Sequence, residues 1–229
     1  MRFVRLRRLL PGLKVLIFSC PFIASASADD SAAAPVLPVE ASDVLHKSSL
    51  TNTWSLQFGV AFITANNIGE ILSGEVNDGD DTGGEAYSLS LNWVARRFQL
   101  SFREKLFQPQ LEPYLTVTVV DETGESTFHD FNGGIGLRWV DFPWERWVRT
   151  SFFTGVGLSY SARVYAVDRQ RHPDTHRSHL KIDWPLQVTF ALPSMEQHQL
   201  VLFNDHQSGG HIFDEGGVNS LGIGYRWLF

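Results

Sequence analysis

From Thr53 to the C-terminus, apolar and polar residues alternate with period two, segment after segment, which is the pattern of strands with two unlike faces. In the first segment Trp54, Leu56, Phe58, Val60 and Phe62 share one face, and Ser55, Gln57, Gly59 and Ala61 the other. Tyr87, Leu89, Leu91 and Trp93 then alternate with Ser88, Ser90 and Asn92, and Leu115, Val117 and Val119 with Tyr114, Thr116 and Thr118. The fourth segment sets Phe131, Ile135, Leu137 and Trp139 against Asn132, Gly134, Gly136 and Arg138. The fifth sets Phe152, Val156, Leu158 and Tyr160 against Ser151, Gly155, Gly157 and Ser159. The sixth opposes Leu180, Ile182, Trp184, Leu186, Val188 and Phe190 to Lys181, Asp183, Gln187 and Thr189. Pro185 within it lacks a ladder donor and predicts a local irregularity. Leu200 and Leu202 mark the seventh segment. In the eighth, Leu221, Ile223, Tyr225, Trp227 and Phe229 oppose Ser220, Gly222, Gly224 and Arg226.

Eight such strands fit a soluble sandwich, a lipocalin-like barrel or a membrane barrel, and the polar face decides among them. It is built of Gly, Ser, Thr, Asn and Gln with few charges, whereas a soluble surface is richer in Lys and Glu. Small polar groups suit the crowded interior of a narrow barrel, and the aromatic and branched face suits lipid. A strand edge left unpaired in hydrocarbon costs roughly several kcal/mol per group, so the sheet has to close. The expected fold is an all-β, eight-stranded antiparallel outer-membrane barrel over residues 53–229.

The connections orient it. With both ends periplasmic, the outer loops include Ala65–Glu85, Val167–His179 and Gly209–Gly217, all long or polar, and the inner turns Asp141–Trp147 and Pro193–His198 are short. The inner connection Arg96–Gln110 is longer. Its residues fit an extension of two strands or a segment along the interface equally well.

Ahead of the barrel, residues 1–28 read as a cleaved secretion signal. Arg2, Arg5, Arg7, Arg8 and Lys14 come without an acid, an apolar stretch runs from Val15 to Ile23, and Ala26-Ser27-Ala28 forms the cleavage site. Cys20, the one cysteine, lies in that signal, and Phe18 ahead of Ser19 argues against a lipoprotein. Residues 29–52, rich in Ala, Ser, Pro and acids, read as a flexible lead-in. Of 19 Lys and Arg, five lie in the signal, so 14 face 25 Asp and Glu in the mature chain, a net −11. Nucleic acid is excluded as a partner on that charge. Ser220-x-Gly222-x-x-Tyr225-x-Trp227, followed by Leu228-Phe229, resembles the C-terminal strand signal read by the outer-membrane barrel assembly machinery.

Candidate chemistry concentrates in Asn204–Ser220. His206 and Ser208 are two apart and share the parity of Leu200 and Leu202, so both face outward near the outer end of the seventh strand. A His and a Ser have no packing role against lipid, but together they supply a general base and a nucleophile. Asn219 has the parity of Leu221 and lies beside them across the hairpin, where its side-chain oxygen can fix the imidazole. Gly209 and Gly210 let the backbone approach a carbonyl and offer amide N–H groups to an oxyanion. Asp205 points into the barrel by parity. Asp214 and Glu215 are the nearby acids left to supply a charge.

This hairpin resembles that of the lipid A 3-O-deacylase (PagL, acyloxyacyl hydrolase) family. His206-Gln207-Ser208 corresponds to the family's His-x-Ser element, Gly210 to the glycine after it, and Gly217-Val218-Asn219-Ser220 to the start of the final strand. The resemblance covers about the last 25 residues in motif and the remainder in strand order. It implies a cofactor-free serine ester hydrolase acting on lipid A or lipopolysaccharide in the outer leaflet. Two positions depart from the family pattern. Asn219 stands where the family has Glu, and Gly209 where it has Asn; an amide cannot stabilise imidazolium by charge, so slower chemistry is expected. A non-enzymatic adhesin or structural barrel, and an outer-membrane phospholipase or acyltransferase, are the alternatives. Homodimerisation is left open. His172, His176 and His179 lie among Arg171, Pro173 and Arg177 and read as a solvated loop rather than a metal site. Asn77–Glu85 lacks the spacing of a calcium loop and reads as a flexible acidic segment.

Overall fold

The computed structural model describes residues 53–64, 66–74, 83–102, 105–171, 173 and 176–229. The expected signal, the lead-in, His172 and most of the acidic stretch from Asn77 lie outside the described residues. Eight long strands alternate along the chain: β1 (Trp54–Thr64), β2 (Gly84–Trp93), β6 (Gln110–Glu122), β7 (Phe128–Trp139), β8 (Arg149–Ser161), β9 (Leu180–Ala191), β10 (His198–Ser208) and β11 (Gly217–Leu228). Each pairs antiparallel with its sequence neighbours, and β1 pairs with β11 from Ser55↔Leu228 to Thr64↔Asn219, closing the ring. Closure gives each of the eight long strands two neighbours, as the period-two pattern demands.

The long inner connection extends two strands. β3 (Arg96–Arg97) continues the β2–β6 hairpin through Arg96↔Leu111, and β4 (Leu100–Phe102) pairs with β5 (Lys105–Phe107) at its tip. The irregularity expected at Pro185 lies on the β8 side. Pairing there jumps from Thr154↔Leu186 to Gly157↔Asp183 without a register shift, while Asp205↔Pro185 holds on the β10 side.

The barrel has its apolar face outward. Phe58, Leu115, Ile135, Val156, Leu202 and Ile223 are all exposed, Leu115 by 66%, whereas Ser55, Gln57, Asn92 and Ser159 are buried. Indole and phenyl rings crowd the inner rim: Trp54 stacks on Trp93 at 5.8 Å, and Trp227 lies 5.0 Å from Phe229. Such rings favour the boundary between hydrocarbon and water.

The interior is layered. Toward the inner end Glu112, fully buried, accepts from Arg138 Nε at 2.9 Å and from Arg226 Nη2 at 3.2 Å. In the middle, Tyr114 donates to Asp183 at 2.6 Å across a polar cavity of about 40 Å³ that Asn132 and Asp205 also line. Gly134 and Gly157 make that crossing feasible, because a Cβ on either would sit within 2.8 Å of the Tyr114 hydroxyl. Above them Asp130 accepts from Ser159, Ser161 and Tyr165.

The outer mouth is plugged, which the sequence pattern does not announce. The connection after β8 buries Val164, Tyr165, Ala166 and Val167, the last of them the first residue of the outer loop expected over Val167–His179. Tyr165 and Val167 pack with Ile63, Val120, Phe128 and Val218, and α2 (Ala166–Arg171) follows. Glu122 ties the plug to β6, accepting from Ala166 N at 2.7 Å and from Arg163 at 3.1 Å. A second short helix, α1 (Ile68–Ser73), follows β1 under a capping box of Asn67 and Glu70.

Candidate active site at the outer rim

His206 and Ser208 close β10 on its outward face, and the residues between and before them hold that strand from inside. Asp205 accepts from Asn132 at 3.2 Å, and Gln207 donates to Asp130. The strand that carries the outward pair is therefore anchored by inward polar groups two residues apart.

The sheet register sets the neighbours. His206 lies opposite Asn219 on β11 and Trp184 on β9; Ser208 lies opposite Gly217 and Ile182. His206 Nδ1–H donates to Asn219 Oδ1 at 2.9 Å, which leaves Nε2 without a hydrogen bond among the described residues. Trp184 meets the imidazole edge-on with ring centroids 6.1 Å apart, and its indole N–H donates to Thr154 at 2.9 Å. Gly217 places no side chain beside Ser208, so one flank of the hydroxyl is open. Asn219 faces outward yet is only 2% exposed, because Asn66 of the first outer loop covers it and accepts from its Nδ2 at 2.9 Å through the main-chain carbonyl.

The loop after Ser208 is tightly built. Gly210 and His211 both have positive φ, 59° and 58°. Gly210 N–H donates to Ser208 Oγ at 3.1 Å. The other glycine is committed elsewhere, since Gly209 N–H donates to Gly216 O at 2.8 Å. Of the two glycines expected as oxyanion donors, Gly210 points its amide at Ser208 in this arrangement. Gly209 has a packing role instead, as a Cβ there would lie 2.0 Å from Asp214 Oδ1.

The acids of this loop do not reach His206. Asp214 bonds Lys181 Nζ at 2.9 Å and accepts from Ser178 N and Gly216 N, and Lys181 in turn pairs with Asp168 at 2.7 Å. Burial works against the Asp214 charge, but the two N–H groups and the ammonium outweigh it and hold the carboxyl below its ordinary value. Glu215 is exposed and lies 4.0 Å from His211. Neither His206 and Ser208 nor His206 and any carboxylate are hydrogen-bonded among the described residues. His179, one of the loop histidines, donates from Nδ1 to Ser161 O at 2.7 Å and stacks on Tyr160.

No protein-family model and no curated protein sequence matches the chain. Among solved structures it is similar to the outer-membrane enzyme PagL, with a TM-score of 0.51 at 11% identity over 76% of this chain and 99% of that one. The chain has the outer-membrane β-barrel fold. Ail of Yersinia pestis aligns at a TM-score of 0.36 and 13% identity, covering 77% of this chain and 99% of Ail. OprG of Pseudomonas aeruginosa aligns at 0.32 and 11%, covering 77% of this chain and 96% of OprG. At such identities the likeness is one of fold, and the chemistry rests on the residues of this rim.

Reading the sequence alone misses two contributors. Trp184 carries the outward parity and sits on the neighbouring strand, so a register argument could have found it. Asn66 is placed by a loop, and its only local signal is the capping pattern Asn67-x-x-Glu70 that follows it.

Proposed function

We propose that the chain is an outer-membrane serine esterase that releases an ester-linked acyl chain from lipid A. The observation that carries this reading is the imidazole of His206, tied at Nδ1 to Asn219, sharing with Ser208 an outward face that is mainly apolar along the middle of the strands. Acyl chains of outer-leaflet lipid lie along that face, so the substrate reaches the pair laterally.

The reaction requires Ser208 Oγ, which accepts from Gly210 N–H in this structure, to come within hydrogen-bond reach of His206 Nε2. His206 takes the Ser208 proton as Oγ attacks the ester carbonyl, and the Gly210 N–H faces the oxygen that gains charge. The bond to the sugar oxygen breaks as His206 returns the proton to it, leaving an acyl-serine. Water, deprotonated by His206, then attacks; the Oγ–carbon bond breaks as His206 passes that proton to Oγ, and the fatty acid departs. The protein residues supply every proton movement. Asn219 orients the ring through its carbonyl oxygen without adding charge.

A non-enzymatic barrel is the second reading, favoured by the absence of a His206–Ser208 bond among the described residues. Mass spectra of lipid A from Gram-negative cells expressing the wild type or Ser208→Ala separate the two. Loss of one acyl chain in the wild type only, by at least about a thousandfold over the variant, is expected for removal of a nucleophile. An unchanged lipid A in both, with heat-modifiable gel mobility showing folded barrels, would refute the esterase.

A further inference from the structure

We infer that Asn219 acts as an amide in its own right rather than as a degraded carboxylate, and that Asn66 of the first outer loop is the positioning residue that sets its direction. The inference rests on the esterase reading for its catalytic meaning, but its structural content stands apart.

The main-chain carbonyl of Asn66 can only accept a hydrogen bond, and it faces Asn219 Nδ2 at 2.9 Å. The end of Asn219 against it must therefore be the NH₂, and the end against His206 must be the carbonyl oxygen. That oxygen in turn only accepts, so His206 Nδ1 carries the proton and Nε2 bears the lone pair a general base needs. Flipping the amide would set oxygen against oxygen in a contact where both residues are buried, Asn66 at 6% and Asn219 at 2% exposure. One acceptor, placed by a loop, thus fixes the tautomer of the imidazole two side chains away.

Three bonds place that acceptor. Thr64, which is the Cα partner of Asn219 in the β1–β11 register, donates from Oγ1 to Asn66 Oδ1 at 2.8 Å and accepts from Asn66 N at 3.1 Å. Asn66 Nδ2 donates to Glu70 Oε2 at 2.9 Å. Glu70 is itself locked into the α1 cap, where it accepts from Asn67 N at 3.0 Å and from Asn67 Nδ2 at 2.8 Å. These bonds, from the Asn66 side chain first, hold its carboxyl below the usual range. A carboxylate at position 219 has no N–H to offer, so one of its oxygens would face the Asn66 carbonyl across a distance suited to a hydrogen bond. In this barrel the amide is the group that fits.

The test uses the full-length mature chain, folded in detergent with ¹⁵N-labelled histidine, together with lipid A hydrolysis. Above the titration of His206, wild-type ¹⁵N shifts are expected to show a protonated Nδ1 and a bare Nε2. Asn66→Ala, whose fold is checked by heat-modifiable mobility, removes the side-chain bonds to Thr64 and Glu70 that place the Asn66 carbonyl, and should give a mixture of tautomers and lower kcat by about tenfold with little change in KM. Asn219→Asp should hydrolyse more slowly than the wild type, where the missing-acid view demands the opposite. A wild-type His206 protonated at Nε2, an Asn66→Ala spectrum identical to the wild type, or an Asn219→Asp rate equal to or above the wild type would each overturn the inference. If neither wild type nor Ser208→Ala alters lipid A, the esterase reading falls, and the ¹⁵N tautomers still decide the role of Asn66.

Discussion

At the inner end of the barrel one acid, Glu112, lies between two bases, Arg138 and Arg226; at the outer end one base, Lys181, lies between two acids, Asp168 and Asp214. Both triads are buried, and the side chain of each central residue is at most 2% exposed. What they join differs. Glu112, Arg138 and Arg226 all belong to barrel strands, so the inner triad ties strand to strand across the ring. Lys181 is on a strand, but Asp168 is on α2 and Asp214 is on the loop after Ser208, so the outer triad ties connections to the wall. A buried charge left without its partner is costly wherever it lies, yet the inner triad spends that leverage on the barrel and the outer one on the geometry of the rim.

Variants at either end can break this contrast. Glu112→Leu strands two guanidiniums in the interior and should lower the unfolding free energy by about 3–5 kcal/mol in a urea titration, with hydrolysis per folded molecule within about twofold of wild type. Lys181→Met leaves Asp214 without its cation near the wetter mouth, while Asp168 keeps Arg177 at 3.6 Å. It should cost less, about 1–3 kcal/mol, but slow hydrolysis by about tenfold as the 209–216 loop loosens. Equal stability losses with hydrolysis spared in both variants would erase the distinction between the ends. The smallest effect sharpens it through pH. The Asp214 carboxyl is depressed, so its contribution is present above the ordinary carboxylate value of about 3.9 and is lost as pH falls through its lower value in the folded protein. Amide NMR shifts of Gly209–Gly216 should therefore stay constant from neutral pH to about 4 and move only below it. Movement beginning near pH 6 would assign the loop's stability to another group.

The amphipathic period of two makes the barrel legible in the chain itself. Trp54, Phe58 and Val60 on one face and Ser55 and Gln57 on the other leave a closed barrel with its apolar side outward as the arrangement that satisfies both faces, and the same parity puts His206, Ser208 and Asn219 on the outside wall. Parity is local, so it survives being read one strand at a time. The plug is not legible, because Val164–Asp168 carries no strand or long-helix period and finds its place only against Ile63, Val120 and Phe128 from distant strands. The role of Gly209 is hidden for a related reason. Glycine marks close approach without saying what approaches, and here it is Asp214 and the Gly216 carbonyl rather than a substrate oxygen.

By itself, then, the chain determined which side of each strand meets lipid, how many strands close the ring and which side chains share the rim, since all three follow from backbone alternation. Only the tertiary structure decided what each of those side chains bonds. Asn219 turns its oxygen to His206 because a carbonyl 153 residues earlier, at Asn66, accepts its N–H. Asp214 turns away from His206 because Lys181 and the Ser178 and Gly216 N–H groups hold it. Directional hydrogen bonds and buried charges are settled by partners brought together on closure, and no spacing along the chain records them.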